Sequence, residues 1–263
     1  MGNGRRPTKI YPIKNANILS VESSAPSNHQ PSEVAPEKPY ERKFSFLQRL
    51  FKVLFSPAEG MKDVALASTY GEIFAVLAIL IVLALVNIAI VFTKIQFIGL
   101  PAFIWGILTL AMAIAVFFAF GVIIAFWLVK SLIVKVSCDR GSGWSFKTAA
   151  SITGYAYLAN IVLGIVGIMV LWFLTPSVVM DVTNQEAAMQ AIANLQAQLS
   201  WSRFLYALPV SLLGLVWESY LGALGTRFGT GGKCSFRLGF IVFFCIGLVG
   251  LLISHAYSML YSF

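Results

Sequence analysis

Residues Phe103–Val129, FIWGILTLAMAIAVFFAFGVIIAFWLV, run without one charged side chain until Lys130 closes them. The hydrocarbon layer of a bilayer, about 30 Å thick, takes up roughly 20 helical residues, and a stretch of this kind belongs there rather than in an aqueous core. It exceeds one bilayer thickness but cannot cross twice without a turn, so it reads as one tilted or protruding helix. Leu100-Pro101 opens that helix, and Lys130 and Lys135 mark its basic end.

Working outward, four more apolar blocks have the length of a span. Together the five lie at about 73–93, 104–134, 152–174, 204–224 and 238–260. Asn87 interrupts the first, Pro176 follows the third and Pro209 lies near the start of the fourth. The whole chain agrees: 58% of residues are hydrophobic and 11% charged, with a mean hydropathy of +0.81. Soluble domains carry about 25% charged residues. The expected fold is an all-α integral membrane protein of five transmembrane helices.

The basic residues orient it. Ten of the 19 Lys and Arg precede residue 71, four fall in Lys130–Lys147 and three in Arg227–Arg237. Lys94 and Arg203 alone occupy the other two gaps. That asymmetry places the N-terminus in the cytoplasm and the C-terminus on the extracytoplasmic or lumenal side. The net charge of +8 gathers beside the spans on one face. Anionic headgroups account for it, and no nucleic-acid recognition motif accompanies it.

Three segments follow. Residues 1–43, rich in Pro, Ser, Asn and Glu, read as a disordered cytoplasmic tail with neither signal peptide nor myristoylation pattern. Residues 44–70 form a juxtamembrane segment, and 71–263 the membrane domain. In Phe44–Phe55, FSFLQRLFKVLF, an apolar stripe of Phe44, Leu47, Phe51 and Leu54 opposes Gln48, Arg49 and Lys52. Such a helix suits the headgroup region, with Arg49 and Lys52 facing anionic lipid, or it packs on the cytoplasmic ends of the spans. Ser56-Pro57-Ala58-Glu59 then predicts an N-cap, a first-turn proline and a capping-box Glu for a helix running to about Ser68.

On the far side, Thr183-Asn184-Gln185-Glu186 predicts a capped surface helix with Met189, Ile192, Leu195 and Leu199 on one stripe and Trp201 as an interfacial anchor. His255 and its neighbouring tyrosines read as part of an aromatic belt, and Glu72 as an interfacial residue. Two loops echo each other. Gly141-Ser142-Gly143 and Gly229-Thr230-Gly231 each lead through a short gap into Ser-Phe-Lys/Arg and an apolar helix, without the Gly-Lys-Ser/Thr of a phosphate loop.

Chemistry-bearing residues are sparse. Glu218 is the one acid deep in a span, and so must face the bundle or hold a proton. Asn87, Asn160 or the Ser219 and Tyr220 hydroxyls are its candidate partners. Two histidines and no intraspan Asp pair leave neither a catalytic triad nor an aspartyl-protease site, so no enzymatic activity, cofactor or metal is expected. Cys138 and Cys234 fall in the cytoplasmic loops and Cys245 in a span, and all three read as free thiols. Glycines such as Gly154, Gly164, Gly214, Gly222, Gly239 and Gly247 place the last three spans at the tight centre of the bundle.

Leu54-Phe55-Ser56-Pro57 before a capped helix, five spans, a Gly-Ser-x-Ser-Phe-type loop and Gly154-Tyr155-Ala156-Tyr157-Leu158 together resemble the Yip domain family. Ala159 stands where many relatives carry Pro, and the Asp-Leu-Tyr-Gly-Pro element of the eukaryotic trafficking branch is absent, which draws the resemblance towards prokaryotic members. The resemblance implies a multi-pass scaffold or adaptor in membrane organisation or trafficking-like processes; in eukaryotic relatives it implies binding of Rab GTPases. The membrane would be the plasma membrane of a prokaryote or an endomembrane of a eukaryote. Two other classes stay open: a small transporter or channel subunit built around Glu218, and an accessory subunit of a larger complex, homo- or hetero-oligomeric. The expected partners are the bilayer, with anionic lipid on the cytoplasmic face, and a protein docking there.

Overall fold

The computed structural model describes residues 40–67, 69–139, 141–202 and 208–260. The tail reading for residues 1–39 lies outside the described residues, as do the side chains on which the Trp201 and His255 readings rest. Two juxtamembrane helices come first, α1 (Phe46–Phe55) and α2 (Pro57–Leu66). The spans follow: α3 (Tyr70–Lys94), α4 (Ala102–Cys138), the pair α5 (Phe146–Ala156) and α6 (Leu158–Leu174), α8 (Leu208–Gly229) and α9 (Phe236–Leu260), with α7 (Gln185–Ser202) between α6 and α8. Among the described residues five helices are thus long and apolar enough to cross a membrane, α5 and α6 counting as one. The 37 residues of α4 make a rod of about 55 Å at 1.5 Å per residue, so it overruns the hydrocarbon layer as its length demands.

The all-α expectation needs one amendment. The strands β1 (Ile95–Ile98) and β2 (Val178–Asp181) pair in parallel, Ile95 opposite Val178. They prolong α3 and α6, which pack together; two helices ending at the same end of the bundle deliver parallel strands there. The α7 cap also shifts by one residue. Asn184 Oδ1 accepts from the backbone N–H groups of Glu186 and Ala187 at 3.1 Å each, while Thr183 turns to Asp181.

Other caps were half legible. Ser56 makes no side-chain cap for α2, and Glu59 binds Lys52 Nζ at 2.7 Å instead. The capping box lies one helix earlier: Gln48 N–H donates to Ser45 Oγ, and Ser45 N–H donates to Gln48 Oε1 at 3.0 Å. The two echoing loops share a cap as well. Ser145 Oγ accepts from Thr148 N–H at 3.1 Å and Ser235 Oγ from Leu238 N–H at 3.3 Å, so each Ser-Phe pair is an N-cap and the first helical residue.

The third span is broken. Tyr157 N–H turns back to Gly154 O at 3.2 Å, a three-residue bond that ends α5 before α6 begins. The break falls inside Gly154-Tyr155-Ala156-Tyr157-Leu158.

Burial is uneven along the bundle. Met61, Val64, Ile73, Val134, Ile152, Leu221 and Phe243 are buried, and all belong to the end where α1 and α2 dock. α2 packs on α8 and α5, a core contribution that its weak apolar pattern did not announce. α8 is central and touches α2, α5, α6 and α9. Its glycines do what small residues do at helix crossings: a Cβ on Gly222 would strike the Phe243 ring, and one on Gly225 would strike Ile152 and Met61. Gly167 faces open space, so not every glycine of the third span is a packing residue. The most apolar stretch of α4 buries none of its side chains.

Candidate functional site

Of the six interface residues expected in Phe44–Phe55, Leu47 and Phe51 stand on an outward face of α1, Leu54 packs against the core, Arg49 is buried, and Phe44 lies before the helix begins. Leu47 and Phe51 are 64% and 63% exposed, joined by Phe55 at 78%. Spacing of four along a 3.6-residue helix puts these three on one outward face, and the Phe51 and Phe55 rings stack at 6.3 Å. Phe44 and Leu54 are half-buried. Lys52 Nζ stands 5.5 Å over the Phe44 ring, and its ion pair with Glu59 lowers that carboxyl's pKa.

Arg49 is the correction. It is fully buried rather than turned to lipid. Its Nε donates to Asp63 Oδ2 at 2.8 Å, and Nη1 donates to Glu72 Oε2 at 2.5 Å and to Ala67 O at 3.2 Å. Burial alone would disfavour the charge, but the Asp63 hydrogen bond and the carboxylate charges of Glu72 and Asp63 outweigh it and hold the pKa above arginine's ordinary value. Glu72 is likewise no surface residue: it also accepts from Tyr155 Oη at 2.7 Å and pairs with Arg42. Tyr40 Oη and Lys43 N–H reach Asp63 at 3.2 and 3.1 Å, so the last residues assigned to the tail are tied to the bundle. Two carboxylates and two guanidiniums thus balance in one network that clamps α1 and α2 to α3 and α5. One face of α1 therefore packs on the helix bundle, and the other stands exposed.

The second cluster contains Glu218. Its Oε2 accepts from Asn160 Nδ2 at 2.7 Å, one of the partners expected, and its Oε1 pairs with Lys130 Nζ. Lys130 is 1% and Glu218 5% exposed. The Lys130 ammonium also stands 5.2 Å from the ring centres of both Tyr157 and Phe243. Lys130, one of the charges by which the sequence orients the chain, is a buried counter-ion. One signal pointed there: Leu132, Ile133 and Val134 follow it, so the helix stays apolar past the lysine. Asn87 does not join, since its Nδ2 donates to Leu83 O of its own helix at 2.9 Å. Ser219 bonds Leu215 O, and the exposed Tyr220 ring packs on Phe236. The broken segment connects the clusters, Tyr155 serving the first and Tyr157 the second.

Cys138 and Cys234 are not free thiols but are joined, with Cα atoms 5.2 Å apart and 96 positions apart in sequence. Lys233 Nζ donates to Gly141 O at 2.7 Å beside them, so the two echoing loops are fastened together. Cys245 remains free. One maleimide should therefore label each intact chain, and all three cysteines only after reduction and denaturation; mass spectrometry reads the count. Labelling of three thiols without reductant would show the bond to be absent. Among the described residues no group of His, Cys, Asp and Glu could hold a metal ion.

Comparison of the chain with protein-family models, curated proteins and solved structures finds no match.

Proposed function

We propose that this chain is a non-enzymatic, Yip-like membrane scaffold or adaptor that works from the end carrying α1 and α2, and that this end is cytoplasmic. The observation that carries the reading is the division of α1: one face is clamped to the bundle by Arg49, and the other offers Leu47, Phe51 and Phe55 outward. An apolar face held rigidly beside basic residues is suited to the headgroup layer, and Lys43 just before α1 and Lys52 on it supply positive charge.

A spin label at Phe51→Cys, in a Cys245→Ser background reconstituted into anionic vesicles, tests the placement. The expected label is relaxed strongly by oxygen and weakly by an aqueous nickel chelate. The reverse ranking would place α1 in water and remove the lipid-facing reading. For the adaptor role, Leu47→Ser/Phe51→Ser/Phe55→Ser should lose partner recovery in mild detergent while the spans still assemble. Deleting residues 1–55 is a poor substitute, because it removes Arg49 and strips Asp63 and Glu72 of their cation.

A second reading, transport organised around Glu218, has one observation in its favour: Lys130, Asn160 and Glu218 line an open cleft. Cation and proton flux into proteoliposomes that is unchanged by Glu218→Gln, in protein that still elutes as the parent does, would remove it.

A further inference from the structure

Between α4, α8 and α9 lies a cleft of about 590 Å³, within the range of small-molecule sites. Its walls are apolar: Val122 and Phe126 on α4, Leu215 on α8, Leu251 and Ile253 on α9. The rim residues Val122 and Ile253 are 66% and 65% exposed, so the mouth opens sideways, where the most apolar part of α4 stands unburied. The floor is polar, made by Lys130, Glu218, Asn160 and Tyr157. We propose that this cleft binds an uncharged amphiphile from the bilayer, its apolar tail along α4 and α9 and a hydroxyl or carbonyl head on the Lys130–Glu218–Asn160 floor.

Charge selects that class. Among the described residues Lys130 and Glu218 are the only charged ones lining the cleft, and as an ion pair their charges sum to zero. An anionic or cationic head would enter an apolar space without a counter-ion, which low dielectric penalises heavily. A neutral head loses little on entering and finds both kinds of partner. The ammonium has three N–H donors, of which Glu218 takes one, and it stands 5.2 Å from the centres of the Tyr157 and Phe243 rings. A hydroxyl can accept from it and donate to the Glu218 carboxylate. This assignment does not depend on the scaffold reading, since it concerns a different face.

The full chain in phosphatidylcholine vesicles, exposed to three photoactivatable probes, tests it. The probes carry the same diazirine acyl chain and differ in the head: a diacylglycerol, a phosphatidic acid and an alkylammonium. The expected result is label from the diacylglycerol on the peptides holding Val122–Phe126 and Gly247–Ile253, roughly tenfold above either charged probe. The outward stretch Phe103–Phe118 should take all three equally and so serves as the internal reference. Val122→Trp fills the mouth from an exposed position that the fold does not need, and should abolish the cleft label alone; Ile253→Trp should act in the same way. Equal labelling of the cleft by the three probes, or cleft label that survives both tryptophans, overturns the proposal in favour of ordinary annular lipid. Cleft peptides that cross-link to a second copy of the chain overturn it too, in favour of a protein occupant.

Discussion

Replacing Arg49 by Met is expected to destabilise the protein by about 3–5 kcal/mol, the cost of leaving buried charge without its partner. Asp63 is 1% and Glu72 8% exposed, and Arg49 is the one residue bonded to both. Without it Asp63 keeps only the Tyr40 hydroxyl and the Lys43 N–H, while Glu72 keeps Arg42 and Tyr155. Arg49→Lys should recover only part of the loss, because an ammonium is a point charge and cannot span two carboxylates as a planar guanidinium fork does. Arg49→Met combined with Asp63→Asn and Glu72→Gln should recover more, since the penalty is chiefly the stranded charge. Thermal unfolding in detergent gives the order of the variants. Protease sensitivity around α1 should rise in the same order, because the clamp holds that helix down. A single Met variant within about 0.5 kcal/mol of the parent, the range of an ordinary surface change, would sink the clamp.

Lys130→Met should cost a similar amount, again about 3–5 kcal/mol, by leaving Glu218 in an apolar surround with Asn160 alone. The informative variant is the double one. Lys130→Met with Glu218→Met removes both charges, and such exchanges are commonly neutral or stabilising by about 1–4 kcal/mol. A double variant near or above parental stability, with a large coupling between the single changes, identifies the pair as mutually neutralising. Independent, additive losses would mean that the two residues do not share a bond. The same proteins bear on the cleft: the double variant keeps its neutrality but loses its polar floor, so it separates folding from ligand capture.

Particular residues show why some of this was legible and some was not. The start of α2 at Pro57 and the start of α4 after Pro101 are local events between residues a few positions apart, and the sequence pattern announces them. Arg49 was misjudged because an amphipathic pattern ranks residues only as apolar or polar. It cannot tell a polar residue facing water from one facing two acids on other helices. Glu218 was singled out correctly as a residue needing a partner, and Asn160 was among those named. Lys130 was overlooked because every lysine beside a span also serves the positive-inside pattern. The cysteines were left unpaired because the compartment inferred from charge argues against a bond, and nothing in the chain says that the two loops meet.

By itself the sequence determined how many helices can cross a membrane, roughly where each begins and ends, and that the basic residues cluster before the first span and in alternate gaps between spans. Those are properties of contiguous stretches, fixed by bilayer thickness and by the cost of putting charge or unpaired backbone into hydrocarbon. The tertiary structure alone decided which charges are buried and with whom. Arg49 meets Glu72 across 23 positions, Tyr155 meets Glu72 across 83, Lys130 meets Glu218 across 88 and Cys138 meets Cys234 across 96. Such pairings follow from which helix faces pack together, and that is set by close contacts of small side chains such as Gly222 and Gly225, not by hydropathy.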